Sequence, residues 1–138
     1  MKLLTTTLTI AFMWLSTAAY AQCDDAATAC ERYINENYIS DGQAYRALLT
    51  GADIAEFQTT LFGGNVYRIA ACTGDTDGVL VFRVYDQERN VLFSSSDFTN
   101  APYWDFALEN TMLVTIEASL DETRLKSGCA VLVIGFKR

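Results

Sequence analysis

The sequence predicts a mainly β protein: an antiparallel β-sandwich, jelly-roll-like, of about eight strands, preceded by one short N-terminal helix. Three observations predict it. From Gln43 onward, apolar and polar residues alternate at period two in short runs. Turn-forming clusters such as Gly63-Gly64-Asn65 separate those runs at regular spacing. The whole chain of 138 residues holds a single proline, so almost nothing interrupts strand pairing.

The elements follow in order. Residues 1–21 read as a cleaved secretory signal peptide. Met1-Lys2 gives a short positive start, Leu3 to Leu15 an apolar run broken by threonines, and Ser16 to Ala21 the small residues before a cut after Ala21. The apolar run is too short for a permanent anchor. A retained N-terminal helix is the weaker alternative. A lipidated cysteine is rejected, because Gln22 and Tyr20 occupy places that want a small residue and leucine ahead of Cys23. Removing these residues takes away one lysine and no acid, so the net charge moves from −7 to −8.

The N-terminal helical segment is 22–42. Within it 24–38 forms a helix, with Ala27, Cys30, Ile34 and Tyr38 on one stripe and Asp24-Asp25 at the positive end of the helix dipole. Asp41-Gly42 marks its terminating turn. The sandwich domain is 43–138. Its strands are expected around Tyr45–Leu49, then at 55–61, 66–72, 79–86, 91–96, 103–109, 112–119 and 129–137. No repeat, linker or low-complexity tract intervenes. An outer-membrane barrel needs longer strands and two aromatic girdles, which this pattern does not supply, so the chain is not expected to span a membrane.

Composition excludes several functions. The acidic balance repels phosphate backbones and anionic lipid, which argues against nucleic acid as a partner. There is no histidine, so Ser-His-Asp and Cys-His catalysis and histidine-ligated metals are ruled out. The four cysteines (Cys23, Cys30, Cys72 and Cys129) lack any CxxC spacing and, in an exported chain, read as disulfides. Three pairings are open.

Over residues 53–137 the pattern resembles the bacterial pre-peptidase C-terminal type of domain. The resemblance rests on "FQTTLFGGNVYRIAA", a strand followed by Gly-Gly and Tyr67-x-Ile69, and on "GVLVFRVYDQERNVLFSSS", where a hairpin returns from Tyr85-Asp86 to Val91-Leu92-Phe93. It implies a jelly-roll-like sandwich and a role in binding or targeting. Here the chain departs by carrying no attached enzyme. In such sandwiches the strands ending at Cys72 and starting at Cys129 are antiparallel neighbours. The resemblance therefore implies a Cys72–Cys129 disulfide, which leaves Cys23 to pair with Cys30. That second bond asks Cys23 to fold back from a helix starting later, since seven helical residues rise about 10 Å.

Two stretches invite a site. In "NAPYWDF" (100–106), alternation puts Trp104 and Phe106 on the core face and leaves Tyr103 as a candidate exposed stacking residue for a ligand. In "TGDTDG" (73–78), Asp75 and Asp77 are a candidate calcium pair; an acidic solvated turn is the plainer reading, because the later donors of a calcium loop are missing. No other cofactor is implied. The expectation is a periplasmic or secreted, non-catalytic sandwich that binds another envelope protein or a cell-surface glycan. The alternatives are a structural subunit of an envelope assembly and a small carboxylate-dependent hydrolase.

Overall fold

The structure, a computed structural model, describes residues 18–137 except Asp75. The signal-peptide reading of residues 1–17 and the Asp75 half of the calcium pair lie outside the described residues. Helix α1 spans Ala18–Cys30 and runs into a single 3-10 turn, Glu31–Tyr33. The expected cut after Ala21 falls within the first turn of α1.

Eight strands follow: β1 (Tyr38–Thr50), β2 (Ile54–Leu61), β3 (Val66–Cys72), β4 (Leu80–Tyr85), β5 (Val91–Ser94), β6 (Tyr103–Ala107), β7 (Met112–Leu120) and β8 (Ser127–Lys137). They divide into two four-stranded antiparallel sheets, ordered β1-β8-β3-β6 and β2-β7-β4-β5. The expected fold class is therefore what the chain adopts. Alternation sets the core: Ile69, Leu132 and Ile134 point inward from one sheet and meet Phe82, Val84, Val114 and Ile116 from the other. The two open sides are closed by aromatic pairs. Tyr45 meets Phe57 at 5.6 Å where β1 faces β2, and Phe93 meets Trp104 at 4.9 Å where β5 faces β6.

The expected helix over 24–38 is corrected at its C-terminal end. It stops at Cys30, and the chain is already in strand β1 by Tyr38. Asn35 supplies the reason. Its side-chain Oδ1 accepts from the Asn37 amide at 3.1 Å and its carbonyl from the Tyr38 amide at 2.9 Å, a local turn that competes with the helix. Asp41-Gly42 terminates no helix. It forms a bulge inside β1, where the register against β8 shifts between Ser40 and Ala44 and Gly42 takes φ +82°.

The disulfides also differ from the pairing that the resemblance implied. Cys23 bonds to Cys129 and Cys30 to Cys72, with Cα atoms 5.5 and 6.1 Å apart. β3 and β8 are indeed antiparallel neighbours, but Cys72 stands opposite Val131, two residues beyond Cys129. Such a diagonal pair is about 7–8 Å apart, too far for a bridge. Both cysteines point to the outer face of the sheet, where α1 lies. Seven residues apart on that helix, Cys23 and Cys30 face the same way and each reaches one of them. Ala26 and Ala27 are small enough to bring the helix down onto Ala70, Val131 and Val133, making a second apolar layer.

Candidate functional site

The stretch "NAPYWDF" becomes β6, an edge strand that among the described residues is bonded only to β3. Trp104 and Phe106 turn inward as the alternation required. Because β6 is an edge, both are half-buried and not enclosed in the core. Trp104 stacks on Phe93 and also lies 4.3 Å from the ring of Phe98, which is 49% exposed. Phe98 is held out by the next two residues, since Thr99 and Asn100 both adopt left-handed backbone, φ 56° and 52°. That conformation is costly for a β-branched residue. Asn100 anchors it, its amide donating to Gly78 O and Asp121 Oδ2, each at 3.1 Å.

On the outer face, Tyr103 is 39% exposed, and it does not stand alone. The fold brings two more tyrosines to it from the segment read as helix. The Tyr33 ring lies 5.6 Å away. The Arg68 guanidinium sits between the rings of Tyr103 and Tyr38, 4.3 Å from each. At the far end the Arg32 guanidinium lies 4.6 Å from the Tyr33 ring. The result is a ladder of guanidinium groups and rings, Arg32–Tyr33–Tyr103–Arg68–Tyr38, crossing the 3-10 turn, β6, β3 and β1. Cation–π attraction favours each guanidinium contact.

Hydrogen bonds lock the ladder. Arg68 donates in bidentate fashion to Asp105, from Nε at 2.8 Å and Nη2 at 3.0 Å, and from Nη1 to Tyr33 O at 3.1 Å. Direct register pairing of Arg68 with Asp105 across β3 and β6 makes this possible. The Arg68 bond holds the Asp105 carboxyl below its ordinary range. Arg32 Nη2 donates to Asp77 Oδ1 at 2.8 Å, and the Tyr33 hydroxyl donates to the same oxygen. Burial, with Asp77 as the second cause, pushes the Tyr33 hydroxyl up to about 12. Gly135 makes room for the turn, because a Cβ there would lie 2.9 Å from Ile34 Cδ1 and 3.2 Å from the Ile39 carbonyl.

Asp77, the described half of the expected calcium pair, thus already carries a guanidinium and a hydroxyl. Among the described residues no three acidic or sulfur ligands cluster around a common point. On the opposite sheet, Glu56 and Glu117 stand directly across from each other, bridged by Arg89 at 3.1 and 2.7 Å. Burial alone would raise the Glu117 carboxyl, but hydrogen bonds from Tyr85 and Arg89 overcome this and hold it low. A proton-donating carboxyl needs the reverse.

Sequence reasoning singled out Tyr103 and not Tyr33, Tyr38 or Arg68, which the fold brings beside it. The opposite-charge pair Arg68–Asp105 on two outward positions was the available signal. It becomes informative only once β3 and β6 are known to be partners.

Fold and site together define a small two-sheet β-sandwich with a helix fastened to one face by two disulfides and a tyrosine–arginine surface beside it. No protein-family model matches the chain, and no curated protein matches it. Among solved structures it is similar to PliG of Aeromonas hydrophila, a periplasmic lysozyme inhibitor of g-type lysozyme. The two chains are 12% identical over 75% of this chain and 90% of that one, with a TM-score of 0.54. At that identity the likeness concerns the fold.

Proposed function

We propose that this is an exported protein that binds another protein of the cell envelope through the tyrosine–arginine ladder. The observation that carries the reading is the ladder itself. Tyrosine and arginine dominate protein-binding hot spots because each couples a large apolar contact to a polar tip. Here their rotamers are fixed before binding, by stacking, by Asp105 and by the nearby disulfides. Pre-organisation of this kind removes ordering costs that association otherwise carries. A net charge of −7 favours a basic partner, attracted over distance as well as on contact. The similar sandwich of PliG inhibits a lysozyme, so a cell-wall hydrolase is a sensible first partner to try.

The test is calorimetry of the oxidised protein against a g-type lysozyme, alongside a pull-down from the native envelope and a glycan array. We expect saturable, salt-sensitive binding to a basic protein. Tyr103→Ala or Tyr38→Ala should weaken it by about tenfold or more, a loss typical of hot-spot truncation. Binding that is indifferent to both substitutions would remove the ladder from the interface. Binding to glycans alone would replace a protein partner with a carbohydrate one.

A further inference from the structure

The open edge of β6 offers more than side chains. The Ala71 amide donates to Pro102 O, the Leu108 amide donates to Asn65 O, and Leu108 O accepts from the Gly64 amide. In an antiparallel pair the groups facing a given neighbour recur every second residue. Residues 102, 104, 106 and 108 therefore direct their backbone groups at β3. Tyr103, Asp105 and Ala107 direct theirs outward, where β6 has no further strand among the described residues. An edge with unpaired amides and carbonyls is a template for one more strand.

Its surroundings select the strand. On one side of the edge lies the ladder with Tyr103. On the other lie Trp104 and the projecting Phe98. Ala101, Pro102, Tyr103, Trp104 and Asp105 line a concavity of about 500 Å³ at the start of the strand. The strained Thr99-Asn100 pair immediately upstream holds Phe98 against Trp104 in that position. Exposed acids flank the strand, Asp97 before it and Glu109 after it, while Asp105 within it is already paired with Arg68.

We infer that β6 accepts an extended basic segment of the partner protein as a fifth strand of its sheet, with apolar side chains against Trp104 and Phe98 and alternate lysines or arginines toward the acidic side. This rests on the protein-binding reading above and specifies its mode. A second copy of the chain fits poorly. Two copies each carrying a net charge of −7 repel one another as they approach.

Ala107→Pro tests the edge, since this residue's amide faces outward and its loss breaks no bond within the sheet. Proline is tolerated on edge strands, and its demand for an extended residue before it suits Phe106. The probe is a short synthetic peptide alternating lysine and valine, titrated into the full oxidised protein. We expect binding that weakens with salt and slows hydrogen exchange at the Tyr103, Asp105 and Ala107 amides. Ala107→Thr, which keeps the amide, should bind normally, and Ala107→Pro about tenfold or more weakly. Absence of binding at millimolar peptide, unchanged exchange at those three amides, or equal binding by a folded Ala107→Pro variant would each overturn the inference. The exchange measurement on the unaltered protein decides the matter even if that variant misfolds. Lysozyme or envelope-partner binding that survives Ala107→Pro but fails in Tyr38→Ala would discard the edge and keep the ladder. Survival in both would discard both.

Discussion

Arg68 is the residue on which the ladder turns. Only 12% of its side chain is exposed, and it spends its donors on Asp105 and Tyr33 while its two faces meet Tyr38 and Tyr103. A lysine keeps the charge and loses both the fork and the planar stacking surface. We expect Arg68→Lys to lower stability by about 1–2 kcal/mol in urea unfolding, as lost charge-assisted hydrogen bonds do, and to make Tyr103 more reactive to nitration. An unchanged nitration rate would show that the rings hold their places without it. Trp104, by contrast, lies at a rim. Trp104→Ala should cost about 2 kcal/mol, less than the 3–5 kcal/mol typical of a fully enclosed aromatic. The inward direction of Trp104 was legible from period two alone. Its half-exposure was not, because alternation reports which face a side chain takes and says nothing of whether its strand is central or at an edge. Tyr33 and Tyr38 were illegible for another reason: the segment 24–38, with Tyr38 on its apolar stripe, suits a helix as well as what it forms, and the Asn35 turn decides between them.

Among the elements, α1 owes its place to tertiary bonds. It has two alanines and two cysteines against the sheet, and the outer face it covers (Ala70, Val131 and Val133) is apolar on an otherwise polar side. The run without alternation in "CAVLVIGF" fits a strand covered on both sides, a signal that the period-two reading of the sandwich passed over. What covers it could not be deduced, and the cysteine pairing failed with it, since diagonal and direct neighbours differ by only two residues along one strand. The bonds span 106 and 42 residues. In the chain-entropy model, loops of these sizes give about 4.8 and 4.0 kcal/mol when each is formed alone. We expect non-reducing peptide maps to link Cys23 with Cys129 and Cys30 with Cys72. Reduction should free the helix and expose its apolar bed, seen as new binding of a hydrophobic dye, while the strand signal in circular dichroism persists. Loss of the strands in the same step would mean that helix and sandwich form one cooperative unit.

For the whole molecule, charge and titration set the working range. With no histidine anywhere in the chain, no side chain has an ordinary value near neutrality. Asp105 is held low by Arg68, Asp121 by Thr123, and Glu117 by Tyr85 and Arg89 against its burial. A carboxyl whose folded value lies below its unfolded one adds stability above the unfolded value, and that contribution is lost as pH falls through the folded value. The tyrosines run the other way. Tyr33 is raised to about 12 by burial and then Asp77, and Tyr38 and Tyr85 are raised as well, Tyr38 chiefly by burial and Tyr85 chiefly by its bond to Glu117. Their contribution is complete below the unfolded value of about 10 and is lost as pH climbs through the folded values. Stability should therefore be level from about pH 5 to 9, fall below about pH 4 and fall again above about pH 10. Urea midpoints taken across that range check this. Ultraviolet titration should show one tyrosinate forming last, and Asp77→Asn should bring it forward. A sloping midpoint between pH 5 and 9, to a first approximation given by the same reference values, would mean that some group other than these couples to folding.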